Sequence, residues 1–435
     1  MPIQPQNDAG CGWLNLLGQR QHTPSLQKDT HSKWLIIGAG YSGLATALTL
    51  AENQPNDKII LIDANGAGEG ASARNSGYLV DTTLNDGHLS DTGLKSYLQK
   101  YELNKKAADN LKQMVAKYKI DCDWNECGKF YSSSTFNNEK KLHNFIKLLD
   151  HLSLKNQFFN QADLSKQLGT DFYKMAVKTF GGAMLQPAAL ARGLIDALPQ
   201  NVSLYENTPV TKIKYGEKHM VYCDHAKITT ENLVIAVNGF MPSLKIKNSR
   251  AFPLLLTASL TRQLTADEQK HMNNVPEWGV LSANHMGATL RYTSDNRLMI
   301  RNTVEVSSSL RLSTNDMQKR KLQHLAGLKV RFPFLAGNII QHTWSGVTCI
   351  SANNANIFDE IYKNCWAVGC YNGGGIGLAT LFGQEIAYQA LNQASPTRQL
   401  IDARPKPNWL PPQPFLNWGV SLKLAKDKFY ATKEV

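Results

Sequence analysis

The sequence predicts an α/β fold built on a doubly wound, Rossmann-like domain, and three adjoining observations predict it. Lys33-Trp-Leu-Ile-Ile-Gly38 is a short apolar run of strand type. It leads into Gly38-Ala-Gly40-Tyr-Ser-Gly43, after which Leu44 to Ala51 continue as a helix. Lys58-Ile-Ile-Leu-Ile-Asp63 then reads as a second buried strand. Together they form a βαβ unit of the length a dinucleotide fingerprint needs.

The remaining elements follow in order. Residues 1–30 are polar with Gly and Pro and read as an arm. From Gly93 to about Leu168 the pattern is mostly helical, and a further helix runs through Leu190, Leu194 and Leu198. Val202 to Val237 alternate in β fashion, and residues 251–310 read as strands with turns. A helix is expected from about Asn315 to Val330, then a strand around Trp366 to Val368, a glycine cluster at Gly373 to Gly377, and a helix from Leu378 to Leu391. Pro405 to Pro414 is proline-rich and is expected to run over the surface.

Composition excludes several classes. With 435 residues, 42% hydrophobic and 19% charged, the chain can bury a large core, and neither global disorder nor a collagen-like period fits. The longest apolar stretches fall far short of the roughly 20 residues that span a bilayer. The N-terminus lacks a basic region followed by an apolar one, so a cytoplasmic protein is expected. Seven scattered cysteines argue for reduced thiols. Cys122/Cys127 and Cys365/Cys370 have metal-like spacing, but the second pair lies in a run that reads as a strand, where positions five apart face opposite ways, and no metal site is expected. The net charge of +12 admits nucleic acid, an anionic membrane, an acidic substrate or a solvated surface. Lys105, Lys106, Lys112, Lys117 and Lys119 alternate with apolar residues at helical intervals, which favours a solvated helix face over nucleic acid.

The chemistry concentrates in three glycine-rich blocks. In the first, Gly38 permits a tight turn, Gly40 lets pyrophosphate approach the backbone, and Gly43 lets helix and strand pack closely. Asp63, twenty residues beyond Gly43, is placed to accept hydrogen bonds from a ribose diol. The second block is Gly66-Ala-Gly68-Glu-Gly70-Ala-Ser72-Ala-Arg74-Asn75-Ser76-Gly77, where small residues accompany donors suited to phosphate and ring acceptors. The third is Tyr371-Asn-Gly-Gly-Gly375-Ile-Gly377-Leu.

In these blocks the chain resembles the D-amino-acid oxidase superfamily of flavoproteins, and most closely its gamma-glutamylputrescine oxidase and glycine oxidase-like branch. Weaker echoes are Gly182-Ala-Met-Leu-Gln-Pro187, Leu233-Val-Ile-Ala-Val-Asn-Gly239 and Trp344-Ser-Gly346, so the resemblance spans roughly residues 30–395. It implies FAD, bound non-covalently, and a covering α+β substrate domain with a mostly antiparallel sheet. The expected division is 31–92, 170–245 and 340–395 for the FAD domain, 93–169 and 246–339 for the covering domain, and 396–435 for a C-terminal tail. By motif match, Gly38, Ala39, Gly40, Tyr41, Ser42 and Gly43 hold the pyrophosphate, and Asp63 with Ala64 the adenosine ribose. Ser72, Arg74, Asn75 and Ser76 lie along the flavin, Val210 meets the adenine, and Asn238 completes the set. Gly374, Gly375, Ile376, Gly377 and Leu378 present a helix N-terminus to the flavin ring.

The implied reaction is oxidation of a CH–NH bond in an amine or amino acid. Hydride passes to flavin N5, the imine is hydrolysed, and oxygen returns as hydrogen peroxide. Transfer of electrons to a quinone, with the basic surface as a membrane anchor or partner surface, is the alternative; an accessory flavoprotein subunit is another. Pocket candidates are Arg291, Arg301, His285, Tyr371 and Trp344; Arg291, on an expected strand of the covering sheet, reads as a bidentate carboxylate contact or as a structural ion pair. Arg301 stands where relatives tend to be glycine-rich, and reads equally as a substrate contact or as the partner of a surface carboxylate. Further departures are Asp63 for a usual glutamate, Gly374 for a common histidine, and Asn353-Asn-Ala-Asn356 for the usual Asp and Pro. Cys349 falls near the region where sarcosine oxidases attach flavin, though a buried packing role suits it better.

Overall fold

Two eight-stranded sheets organise the chain in the computed structural model, which describes residues 3, 5–84, 91–284, 286–307, 309–431 and 434. In the first sheet, Cys365–Gly369, Lys227–Ile235, Thr30–Ile37, Ile59–Ile62 and Val202–Tyr205 run parallel in that spatial order. Trp34 to Ile37 and Ile59 to Ile62 are buried without interruption, as strands covered on both faces require. The hairpin Val210–Lys214 and His219–Cys223 branches antiparallel from Lys227–Ile235, and Ile357–Tyr362 closes the far edge.

Helices Tyr41–Asn53 and Gly375–Ala390 pack together on one face of this sheet, close enough for Thr46 Oγ1 to donate to the Gly383 carbonyl at 2.8 Å. Helix Asp91–Lys117 lies against Gly375–Ala390. Its Leu103, Ala107, Leu111 and Met114, at helical spacing, enter the shared core, each Leu contributing about 1.5–3 kcal/mol. The lysines point away from that core, Lys105 to Asp109, Lys112 to Glu126 and Lys117 to Glu52.

The second sheet runs Ile340–Ile350, Phe252–Thr261, Leu298–Glu305, Thr289–Tyr292, Trp278–Ser282, Lys129–Ser133, Met175–Thr179 and Asn156–Asn160. Every pairing is antiparallel except Trp278–Ser282 with Lys129–Ser133. Helix Thr314–Arg331 covers one face through Leu328 and Ile300, and the other face turns towards the first sheet's unit.

The pairings move several expected boundaries. Met175–Thr179, expected in the 170–245 segment of the dinucleotide domain, is an inner strand of the second sheet. Ile340–Ile350, expected in the 340–395 segment, pairs along its length with Phe252–Thr261. Helix Asp91–Lys117, expected with the covering domain, packs on the dinucleotide unit. Each reassignment depends on a partner distant in sequence, which local patterning does not encode. Residues 1–30 are more than an arm: Gly12–Leu16 is helical, with Trp13 only 2% exposed. The C-terminal tail likewise holds helices Pro396–Asp402 and Phe415–Tyr430.

Candidate active site

The first glycine block forms the turn its spacing requires. Gly38 has φ +99°, and a Cβ on Gly43 would fall 1.8 Å from the Gly38 carbonyl oxygen, so the turn closes on itself only with glycine there. The helix that follows starts at Tyr41 without a side-chain cap, leaving first-turn N–H groups directed outward. Ser72 Oγ accepts the Tyr41 N–H at 2.9 Å, which joins the second block to the first. Asp63, one residue past strand Ile59–Ile62, accepts the Ala39 and Asn65 N–H groups at 2.8 and 2.9 Å. Burial pushes its carboxyl up to about 6, those N–H groups oppose the rise, and the nearby charges of Glu206 and Glu69 add to it.

The third block makes a second exposed helix N-terminus beside the first. Cys370, Asn372 and Gly373 all take left-handed φ, turning the chain from strand Cys365–Gly369 into helix Gly375–Ala390. Three asparagines hold this turn: Asn238 Oδ1 accepts the Cys370 N–H at 3.0 Å, while Asn356 and Asn372 amides donate to the Cys370 carbonyl at 2.8 and 3.0 Å. The helix again lacks a side-chain cap. A Cβ on Gly373 would meet nothing within 4 Å, and on Gly374 or Gly375 nothing closer than 3.6 or 3.9 Å, so the turn borders open space. Tyr371 Oη lies 2.5 Å from Ser42 Oγ, tying the two helix starts together. Burial holds the Tyr371 phenol far above its ordinary range.

Other expected residues have local duties. Arg74 is not free for a phosphate: its guanidinium donates to the carbonyls of Glu69 at 2.9 Å, Ser345 at 3.0 Å and Asp8 at 2.5 Å. These carbonyls and the Asp8 carboxylate already occupy the fork. Asn75 accepts the Gly77 N–H and donates to the Ser72 carbonyl, shaping its own turn, and Ser76 beside it is half-buried. Ala39 and Leu378 are buried at their helix starts, and Ala64 is partly exposed beside Asp63. Val210 packs with Ile37, Ile60 and Ile62. Cys349 is fully buried in that same apolar cluster, in contact with Cys370, and its thiol is held far above its usual range. Trp344 donates to the Arg74 carbonyl at 3.1 Å and packs with Trp13, Ala73 and Met299 where the two sheet units meet. His285 lies outside the described residues.

Two arginines project from the face of the second sheet that meets Trp344. Arg291 pairs in register with Met299 and Arg301 with Thr289, so all four share that face. Arg291 is consumed: Nε and Nη2 reach Glu277 Oε1 at 3.3 and 2.9 Å, and Nη1 donates to the Leu185 carbonyl. Arg301 donates from Nη2 to Thr289 Oγ1 at 2.7 Å and has no carboxylate partner among the described residues. Burial holds its guanidinium below the usual range, against the influence of Tyr78.

The N-terminal segment supplies residues that sequence reasoning missed. Arg20 reaches Glu206, a carboxylate with no exposed side-chain surface, and Glu206 also accepts the Thr23 and Ala67 N–H groups at 2.5 and 2.6 Å. Trp13 Nε1 donates to the Asn75 carbonyl at 2.9 Å, and Gln186 donates to the Trp13 carbonyl at 2.8 Å. Isolated Trp13 and Arg20 in a polar stretch carry no periodic signal that would have singled them out.

Two uncapped helix starts, open space at the third glycine block and an acceptor at the end of the second strand match the donors and acceptors of an adenine dinucleotide. Residues 33–389 match the sequence model of the family described as FAD dependent oxidoreductase. The chain belongs to this family. FAD is therefore its cofactor, and the site's donor set fits it. Gamma-glutamylputrescine oxidoreductase of Escherichia coli is 24% identical over 365 residues, covering 81% of this chain and 82% of its own. A probable oxidoreductase of Haemophilus influenzae is 25% identical over 384 residues, covering 84% of each. Among solved structures, glycine oxidase from Geobacillus kaustophilus superposes with TM-score 0.71 at 17% identity, covering 84% of this chain and 96% of its own. L-proline dehydrogenase from P. horikoshii gives 0.68 at 14%, covering 86% and 97%.

Proposed function

We propose that this flavoenzyme oxidises the CH–NH bond of a small amine that bears a carboxylate, an amino acid in the broad sense. The observation that carries the carboxylate is Arg301, a half-buried guanidinium with a single hydroxyl acceptor among the described residues, on the sheet face that meets the dinucleotide unit. A planar fork without a counter-ion suits a bidentate carboxylate. The relatives' names, a gamma-glutamylputrescine oxidoreductase and a glycine oxidase, support the amine class.

The proposed FAD contacts are supported by the two helix starts and the strand-end acceptor. Gly38, Ala39, Gly40, Tyr41, Ser42 and Gly43 meet the pyrophosphate with backbone N–H groups and a helix N-terminus. Asp63 and Ala64 meet the ribose, and Val210 and Asn238 flank the strand ends near it. Ser72, Asn75 and Ser76 lie along the ring system, with Gly374, Gly375, Ile376, Gly377 and Leu378 opposite, where the helix start stabilises negative charge. The flavin supplies the two-electron acceptor for the hydride leaving the substrate carbon. Arg301 orients the substrate, and the Trp13, Trp344 and Met299 cluster keeps water from the sheet interface behind it. The imine product hydrolyses to a carbonyl compound and ammonia or a smaller amine, and oxygen takes up the two electrons and two protons as hydrogen peroxide. The buried setting of Cys349 supports non-covalent attachment of the flavin. A quinone acceptor is the second reading, favoured by the exposed aromatic face of helix Phe415–Tyr430.

The test is anaerobic bleaching of the flavin band, at about 450 nm, by a panel of amino acids and their decarboxylated amines. Bleaching by the carboxylate members is expected, with KM raised in Arg301→Met. Equal bleaching by the decarboxylated amines, unchanged in that variant, would sink the carboxylate reading. Peroxide formed in air, one per substrate oxidised, would select oxygen over quinone.

A further inference from the structure

We infer that the C-terminal helix docks this protein on the surface of an anionic lipid bilayer. Helix Phe415–Tyr430 has two apolar sides. Leu416, Val420 and Leu424, four residues apart, pack on Phe252, Leu254, Val304, Val306 and Ile350. Phe415, Trp418, Leu422 and Phe429 recur at helical spacing on the opposite side and face solvent. With Trp409 before the helix they leave a ridge of large apolar side chains exposed, from 59% at Trp409 to 74% at Phe429, with the Phe415 and Trp418 rings 5.8 Å apart. Aromatic residues of this size are not left exposed together on a surface that meets only water.

The helix is held, not frayed. Its start is fixed by Leu416 in the apolar cluster and by the Leu410 N–H, which donates to the Ser249 carbonyl at 2.7 Å. Just beyond its end, Glu434 is held in the covering domain. Glu434 is 1% exposed, its carboxylate accepts the Ser134 N–H at 2.6 Å, and its carbonyl accepts from Arg331 at 2.7 Å. The aromatic ridge is therefore presented outward by a helix anchored at both ends.

Charge selects the occupant. Lys423 and Lys426 are exposed along the ridge, and the helix carries a single acid, Asp427, which Lys423 meets at 3.4 Å. Arg250 and Lys406 are exposed around the segment leading to Trp409, where Arg250 donates to the Pro407 carbonyl at 3.2 Å and Lys406 meets Asp359 at 2.9 Å. A basic rim around an aromatic ridge complements an anionic headgroup layer with acyl chains beneath. A second copy of this chain fits worse, because two-fold pairing of the ridge would set these lysine rims against each other. No helix among the described residues is long and apolar enough to cross a membrane, so the helix lies in the interface plane over about 24 Å.

The test is sedimentation of the flavin-loaded full chain with phosphatidylcholine vesicles, with and without phosphatidylglycerol. Binding is expected only with phosphatidylglycerol, weakening as salt rises, with quenching of tryptophan fluorescence by brominated acyl chains. Trp418→Ser combined with Leu422→Ser and Phe429→Ser should weaken binding at least about tenfold, with flavin content and turnover unchanged because these residues lie outside the active site. Lys423→Glu with Lys426→Glu should remove the preference for the anionic lipid. Three results would overturn the inference: no binding to phosphatidylglycerol vesicles at low salt, equal binding to neutral vesicles, or undiminished binding by the triple serine variant. A lipid-free dimer that this variant converts to monomer would overturn it too, assigning the ridge to a second copy.

Discussion

Arg291 and Arg301 stand on the same face of one sheet, on neighbouring strands, yet their surroundings are opposite. Arg291 has a buried carboxylate, a carbonyl and the Trp13 ring, whose centroid is 5.4 Å from its guanidinium carbon. Arg301 has a threonine hydroxyl. A buried guanidinium costs the fold unless its charge is answered, so the matched, fully buried Arg291 serves the structure, while Arg301, half-buried and unmatched, is open to an anion. Two identical side chains thereby separate into a strut between sheet units and a candidate binding group.

The largest effect expected from breaking that contrast is on stability. Arg291→Met strands Glu277 with only the Asn125 amide, which donates at 2.7 Å, and should cost about 3–5 kcal/mol in denaturant unfolding. Adding Glu277→Gln should recover part of this, because the uncompensated charge goes with it. Arg301→Met should change stability by less than about 1 kcal/mol. Equal losses from the two single substitutions would erase the distinction. The next effect is on kinetics. Arg301→Met should raise KM for carboxylate substrates roughly 10- to 100-fold, the worth of a charged hydrogen-bonding pair, while barely altering turnover of the decarboxylated amines. Arg301→Lys should recover only part, since an ammonium cannot reproduce the fork.

The same contrast explains what was legible in the sequence. Gly38 to Gly43 and Asp63 announce themselves because strand, turn and helix lie within one short stretch, and each residue's duty is set by its neighbours. Gly373 to Gly377 are legible for the same reason. Arg291 can be read from the sequence as one half of an ion pair, but its partners cannot, because Glu277 meets it only once two strands pair and Leu185 arrives from another part of the chain. Arg74 looked like a phosphate donor until Asp8 and Ser345, distant on either side, took its guanidinium. Met175–Thr179 and Ile340–Ile350 are not among the strands expected from the sequence, and their sheet depends on register with remote partners.

Asp63 offers the subtlest test, because it resembles Arg301 in lacking a counter-ion among the described residues and differs in that its proposed ligand, the ribose, belongs to a cofactor the family supplies. In the flavin-free protein its folded carboxyl titrates at about 6, above the ordinary value of 3.8, because burial disfavours the anion. The folded state therefore holds its proton more tightly than the unfolded chain. Stability from this group is fully present below about pH 4 and is lost as pH rises through about 6. Asp63→Asn cannot lose that proton, so the flavin-free variant should gain on the parent across this window, by about 1–2 kcal/mol at neutral pH. Adding FAD should reverse the order, since ribose hydroxyls donate to a carboxylate and an asparagine oxygen accepts them more weakly. A flavin-free pair whose difference stays constant from pH 4 to 7 would show that Asp63 is already satisfied by the Ala39 and Asn65 N–H groups, and that its charge is not held in reserve for the ribose.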